Sequence, residues 1–345
     1  MLHVVFGAGL VGCFLGTALA RQGIEVKFVA RGQWQVRLTH DIVLTDYEGN
    51  RVNMALPSPL LEAGQKADVI WLTTKCTALA SSLNLLKKIV HEDTVIICCQ
   101  NGVGAHKLVQ HYFPTICVAR AMVPFNVIYR APNIFHKGSE GSLTLETLPQ
   151  KQAEVERRVL AASHPIMQVQ STANMDALQW AKLQLNLGNS VNALANLPVR
   201  AMLEQRSYRQ IIALAMEELL TVVDCMGISL PKITKIHGRY LPFVLRTPDW
   251  LFKRVAKQML AIDNNVKTSM WWDIQAGKPT EIDYLNGAVV AAGMQHNIPC
   301  PVNIFLLNEI KKGEQHSAVT GEYEGIAGID LLNKLMKEVK KARPD

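Results

Sequence analysis

Apolar positions in the first hundred residues gather in short runs: LHVVF (2–6), EVKFVA (25–30), DVIWLT (68–73) and TVIICC (94–99). Apolar runs of that length mark strands. Between them apolar residues recur at helical spacing, over 10–21, 77–90 and 103–112. Strands alternating with helices predict a parallel sheet covered on both sides. From about residue 115 the texture shifts to extended pieces broken by Asn126, Pro132, Asn133, Gly138 and Gly141, ending in SLTLET. These predict further strands of the same domain, closed by a helix near 150–163. Beyond about 171 strand signals nearly vanish, and long apolar or amphipathic stretches at 176–194, 208–226, 250–276, 281–296 and 301–312 predict helices. The expected architecture is an α/β domain over 1–170 followed by an all-helical domain over 171–345.

Composition narrows the class. The chain has 345 residues, 49% hydrophobic and 19% charged, enough for two cores and too apolar for a disordered coil. Its seven cysteines, Cys13, Cys76, Cys98, Cys99, Cys117, Cys225 and Cys300, are sparse, odd in number and without a CxxC. Neither a disulfide framework nor a metal site is indicated, and a reducing, cytoplasmic setting fits best. With 36 basic against 29 acidic residues the formal charge is +7. The basic residues are scattered and not interleaved with aromatics, so nucleic acid is not an expected partner. No apolar stretch reaches the roughly 18 residues of a membrane helix, and no basic segment precedes an apolar leader, so no membrane role is expected.

The turn after the first strand carries Gly7-Ala8-Gly9-Leu10-Val11-Gly12. GxGxxG alone is a weak signal. Here it ends a strand, opens a helix and returns to a second strand by residue 25, as a Rossmann-type dinucleotide-binding unit requires. Gly7 serves the tight turn, Gly9 lets backbone approach a pyrophosphate, and Gly12 lets helix and strand pack closely. The helix N-terminus then offers its free N–H groups to the anion. At the end of the second strand an NAD site places a carboxylate for the ribose hydroxyl, whereas this chain has Arg31. That favours NADP, with an exposed loop cation as the other reading of Arg31. Lys75 and Asn101-Gly102 follow the third and fourth runs, where ligands bind in such sheets, although both also suit solvated turns.

In the helical half, Lys182, Asn186, Asn189 and Ser190 fall at offsets of 4, 7 and 8 along one predicted helix. One cation among uncharged hydrogen-bonding groups suits the wall of a polar cleft, and an ordinary wet helix face is the alternative. Ser269 is placed near the end of a helix, Gly277-Lys278-Pro279 breaks the chain, and Thr280 is a natural N-cap for a helix carrying Glu281 and Asp283. Trp271 and Trp272 read as core.

Taken together, Gly7, Gly9, Gly12, Arg31, Lys75, Asn101-Gly102, Lys182-Leu183-x-x-Asn186, and Ser269-Met270 twelve residues before Glu281 resemble the ketopantoate reductases almost end to end. The resemblance implies NADPH-dependent reduction of 2-dehydropantoate (ketopantoate) to pantoate, a step of pantothenate biosynthesis. It implies Lys182 as general acid and Glu281 within the catalytic cluster. Asn186 and Ser269 would bind substrate, and Asn101 and Lys75 would line the cofactor and substrate pocket. Where many members read Asn-Pro-Leu-Thr, this chain has Asn189-Ser190-Val191-Asn192-Ala193-Leu194, with Ser190 in the substrate-binding place and Asn189 beside it. A related 2-oxo acid is therefore an alternative substrate. A non-catalytic NADP-binding sensor of the same fold is the alternative of a different class, and the retained Lys182, Asn186, Ser269 and Glu281 count against it. A homodimer is left open.

Overall fold

The structure is a computed structural model and describes residues 1–56, 59–256, 260 and 265–341. The chain divides into two units, Met1–Met175 and Asp176–Asp345. The expected boundary at 170 falls within the last strand of the first unit, whose pairing with its neighbour runs to Thr172, and the unit ends at Met175.

The first unit runs β1 (Leu2–Phe6), α1 (Leu10–Arg21), β2 (Glu25–Val29), α2 (Gln33–Leu38), β3 (Ile42–Asp46), β4 (Arg51–Met54), β5 (Val69–Leu72), α3 (Leu79–Leu86), β6 (Val95–Cys98), α4 (Ala105–Tyr112), β7 (Cys117–Met122), β8 (Val127–Arg130), β9 (Ile134–Lys137), β10 (Leu143–Glu146), α5 (Ala153–Ala161) and β11 (Val169–Thr172). Seven strands form one sheet in the order β11-β10-β7-β6-β5-β1-β2. From β2 to β7 all neighbours are parallel, then β10 joins β7 antiparallel. The reason is visible in the strands themselves: every residue of β5 and β6 is buried, because helices cover both faces. Trp71 lies at the centre, fully buried. The sequence pattern did not announce the second sheet, β4-β3-β9-β8. Of its strands, β3 and β9 alternate and bury one face each.

The second unit is helical: α6 (Met175–Asn186), α7 (Gly188–Ala195), α8 (Val199–Leu203), α9 (Arg206–Cys225), α10 (Leu241–Arg246), α11 (Asp249–Val255), α12 (Ser269–Gln275), α13 (Asn286–Gln295), α14 (Pro301–Thr320) and α15 (Gly328–Lys341). Two expected helices are broken. The stretch 176–194 is interrupted at Leu187, where Gly188, a poor helix former, opens α7. The stretch 250–276 holds α11 and α12, and part of it lies outside the described residues. A short 3₁₀ turn, Ile282–Tyr284, precedes α13. The start of α14 is secured from α9: the Glu218 carboxylate accepts from the Val302 and Asn303 backbone N–H groups and from Asn303 Nδ2, at 2.8, 2.9 and 2.7 Å. A carboxylate on a helix N-terminus both fills orphan donors and meets the positive end of the dipole.

Candidate active site

Four parallel strands end in one row. Val29, Phe6, Leu72 and Cys98 are in register across β2, β1, β5 and β6, so the loops that leave these four strands emerge on the same edge of the sheet. The strand order reverses between β5 and β1, which is where open α/β sheets form a ligand crevice.

The glycine turn sits at that reversal. Gly7 has φ +109°, and a Cβ there would lie 2.6 Å from the Thr74 backbone nitrogen, so both backbone and space select glycine. A Cβ on Gly12 would meet the Gly7 carbonyl and the Thr73 hydroxyl, which already donates to that carbonyl at 2.7 Å. Gly9 differs from both. Its φ of −87° suits any residue, and a Cβ there would have nothing within 4 Å. Open space beside a helix start is the room an anion needs. The first helical bond runs from the Cys13 N–H to the Gly9 carbonyl at 2.9 Å, leaving the amides of Leu10, Val11 and Gly12 without intrahelical acceptors. The N–H groups of Gly7 and Ala8 point instead to the Val29 carbonyl, tying the turn to the end of β2.

Arg31 lies two residues past β2, exposed and bonded to no side chain among the described residues. Lys75 is exposed at the head of a 3₁₀ turn after β5, and Asn101 is half-buried after β6. The Cys76 thiol donates to the Asn101 carbonyl at 3.4 Å, joining those two loops. At a strand spacing of about 4.8 Å, the row from Arg31 to Asn101 spans roughly 14 Å. Sequence reasoning missed two neighbours in this row. Gln100 is 8% exposed, with neither amide end partnered among the described residues, and the buried Thr74 hydroxyl likewise has no partner among them. Buried polar groups are nearly always satisfied, so two orphans in this row of loops point to a ligand.

In the helical unit, Lys182 and Asn186 are half-buried, one turn apart on α6. Asn189, at the start of α7, is half-buried as well, whereas Ser190 has no exposed surface and its hydroxyl donates to the Leu187 carbonyl at 3.0 Å. Leu187 keeps helical backbone angles, so Ser190, about 80° around the helix from Lys182, lies at the flank of the expected stripe and is the member that is covered, while Asn189 presents the polar surface. Ser269 is exposed and opens α12 as its first residue, at the start of a helix where the sequence suggested the finish of one. Its position beside α7 is fixed by Asn192, whose Oδ1 accepts from the Thr268 N–H and hydroxyl at 3.1 and 3.0 Å. Glu281 is half-buried ahead of the 3₁₀ turn and is located through its neighbour Thr280, which donates N–H and hydroxyl to Glu314 at 2.8 and 2.6 Å. Trp271 donates to Asn196 at 2.7 Å, while Trp272 is 61% exposed, contrary to its reading as core.

Other chemistries find less support. Burial pushes the thiols of Cys13, Cys98 and Cys300 up to about 12, which makes them inert packing groups. Among the described residues no His, Cys, Asp and Glu cluster is arranged to hold a metal ion, and no helix is long and apolar enough to cross a membrane.

A glycine turn at the reversal of a parallel sheet, joined to an all-helical second unit, defines a class of two-domain proteins with a dinucleotide-binding type of first domain. Residues 3–150 match the family model for ketopantoate reductase PanE/ApbA, and residues 174–314 match the model for its C-terminal part. The chain belongs to the ketopantoate reductase family. It is similar to a 2-dehydropantoate 2-reductase of Streptococcus pyogenes serotype M3, 23% identical over 320 residues, covering 87% of this chain and 94% of that one. Its fold is similar to that of the PanE/ApbA family ketopantoate reductase from Ralstonia eutropha JMP134, with a TM-score of 0.74 and 25% identity over 92% of this chain and 99% of that one. D-mandelate dehydrogenase, solved in a ternary structure with NADH and anilino(oxo)acetate, shares the fold at a TM-score of 0.71 and 19% identity, over 92% and 99% of the two chains.

Proposed function

We propose that the protein reduces a small 2-oxo acid with NADPH, 2-dehydropantoate or a close analogue, giving the 2-hydroxy acid. The observation that carries this reading is the glycine turn: open space at Gly9, free helix amides behind it, and the orphaned Gln100 and Thr74 in the same row. The residues present fit a dinucleotide. The helix amides of α1 would hold its pyrophosphate, Arg31 a 2′-phosphate, and Asn101, Gln100 and Lys75 the nicotinamide end and its surroundings.

When bound, a dihydronicotinamide supplies the hydride for the substrate carbonyl. The protein's own work is then electrostatic. Lys182 places an ammonium on the carbonyl oxygen, where negative charge develops, and delivers the proton that completes the alcohol. Asn186, Asn189 and Ser269 bind the polar ends of the substrate, and Glu281 orients the catalytic cluster. Ser190, wholly buried, holds the start of α7. The 2-oxo acid class is supported by the family and by the anilino(oxo)acetate found in the D-mandelate dehydrogenase relative.

The direct test is a panel of 2-oxo acids assayed with NADPH and NADH side by side. NADPH oxidation with 2-dehydropantoate or a close analogue is expected, and NADPH binding without turnover of any 2-oxo acid would favour a sensor instead. Two variants test the cofactor half. Gly9→Ala should leave the unfolding transition within about 0.5 kcal/mol of wild type and weaken NADPH binding at least about tenfold by filling the pyrophosphate's room, as read by calorimetric titration. Arg31→Ala should weaken NADPH by roughly tenfold or more, the worth of one charge-assisted contact, while leaving NADH affinity nearly unchanged; equal losses for the two cofactors would remove Arg31 from the 2′-phosphate.

A further inference from the structure

The amino ends of the same strands carry a feature that the proposed reaction does not use. About 15 Å from the glycine turn, the length of the five-residue β1, lies a cavity of about 290 Å³ whose lining includes His3, Gln22, Glu25, Arg157, Arg158 and Ala162. His3 is 1% exposed. Its Nδ1 accepts from the Trp71 indole at 3.2 Å. An indole nitrogen only donates, so Nδ1 bears no proton and the neutral ring carries its hydrogen on Nε2. That buried donor has no partner among the described residues.

Burial, with the amino terminus and Arg158 acting in the same direction and Asp68 opposing them, lowers the His3 pKa to about 4. The ring is therefore neutral near pH 7 and keeps its Nε2–H as a donor. Arg157 meets Glu154 through Nε and Nη2, at 2.8 and 2.7 Å, and Arg158 meets it through Nε at 2.7 Å. Both Nη groups of Arg158 are bonded to no described residue. Glu25 and the carboxyl ends of α1 and α5, about half a unit charge each, oppose an anion, and Glu154 already pairs with both guanidiniums; the two guanidinium charges and the amino terminus offset these, so the buried His3 donor and the Arg158 Nη groups direct the cavity toward an anion.

We propose that this cavity binds a small oxyanion, a phosphate or carboxylate group, with the His3 Nε2–H as its buried donor and the Arg158 guanidinium as its charged one. The inference stands apart from the reductase reading, and its test uses no turnover. The imidazole signals of the full-length protein are followed by proton–nitrogen NMR, with His3 assigned by through-bond correlation to its own backbone. Inorganic phosphate and, separately, acetate are added, with chloride additions of equal ionic strength as reference. The His3 signal should shift saturably with at least one of the two anions, and whichever binds more tightly identifies the group. Arg158→Gln, a change at a half-exposed position, should weaken that response at least about tenfold. A His3 signal that stays still with both anions, moves equally with chloride, or responds as before in Arg158→Gln overturns the proposal.

Discussion

Lys182→Ala lowers kcat for 2-oxo acid reduction by about a thousandfold, within the 10²- to 10⁴-fold range of a positioned general acid, and leaves the Kd for NADPH within about twofold. The two halves of that expectation come from different places in the chain. The groups proposed to hold the dinucleotide lie on β1, β2, β5 and β6 of the first unit, whereas Lys182 lies on α6 of the second. Removing the amine takes away the charge and the proton that the developing alkoxide needs, and nothing in the glycine turn changes. Lys182 is half-buried on a helix, so alanine there also removes some packing. Lys182→Met keeps most of the stem and should show the same loss of kcat, with the unfolding transition closer to wild type. The measurements are steady-state kinetics with the best 2-oxo acid and calorimetric titration of NADPH. Full turnover in Lys182→Met would take the proton donor away from this residue, and a parallel collapse of NADPH binding would turn the effect into one on folding.

The parts of this site that could be read from the sequence are those whose chemistry is local. Gly7, Gly9 and Gly12 reflect a backbone angle, an open space and a close contact, all set within a few residues of the turn. The buried strands β5 and β6 are unbroken apolar runs. What escaped reading depends on partners far along the chain. In the second sheet β3 pairs with β9, Val43 opposite Ile134, and its strands are only four or five residues long with one wet face. Alternation over so short a span does not separate a strand from a loop. Gln100 carries no local signal, because glutamine is ordinarily a surface residue; only its burial and its lack of partners single it out. Ser190 was misplaced for a related reason. Offset 8 is the flank of the stripe, about 80° around the helix from Lys182, and whether a flank is wet or covered depends on what packs there; Ser190 is covered. Ser269 owes its place to Thr268 and Asn192, 76 residues apart.

Arg209→Met destabilises the helical unit by about 3–5 kcal/mol, the cost of breaking a buried charged network, and lowers Tm by roughly 10 °C at about 2–4 °C per kcal/mol. Arg209 lies on α9 with no exposed surface. Its guanidinium donates to the carbonyls of Leu203, Leu245 and Thr247 at 2.9, 3.0 and 2.8 Å, to Asp249 at 2.8 Å, and lies 4.1 Å from the centre of the Phe252 ring. Leu203 closes α8, while Leu245 and Thr247 sit at the end of α10. One cation thus satisfies the last carbonyls of two helices and meets the negative ends of both dipoles. Methionine fills most of the volume but donates nothing, so three carbonyls lose their partner in a site closed to water, and each such loss costs on the order of 1–3 kcal/mol. Asp249 is the internal control. Its side chain is 54% exposed, so Asp249→Asn keeps a hydrogen-bond acceptor, leaves the carbonyl bonds intact and should cost no more than about 1 kcal/mol. Urea unfolding followed by circular dichroism distinguishes the two variants. Similar midpoints for both would mean that the exposed ion pair, and not the capping of α8 and α10, is what Arg209 contributes.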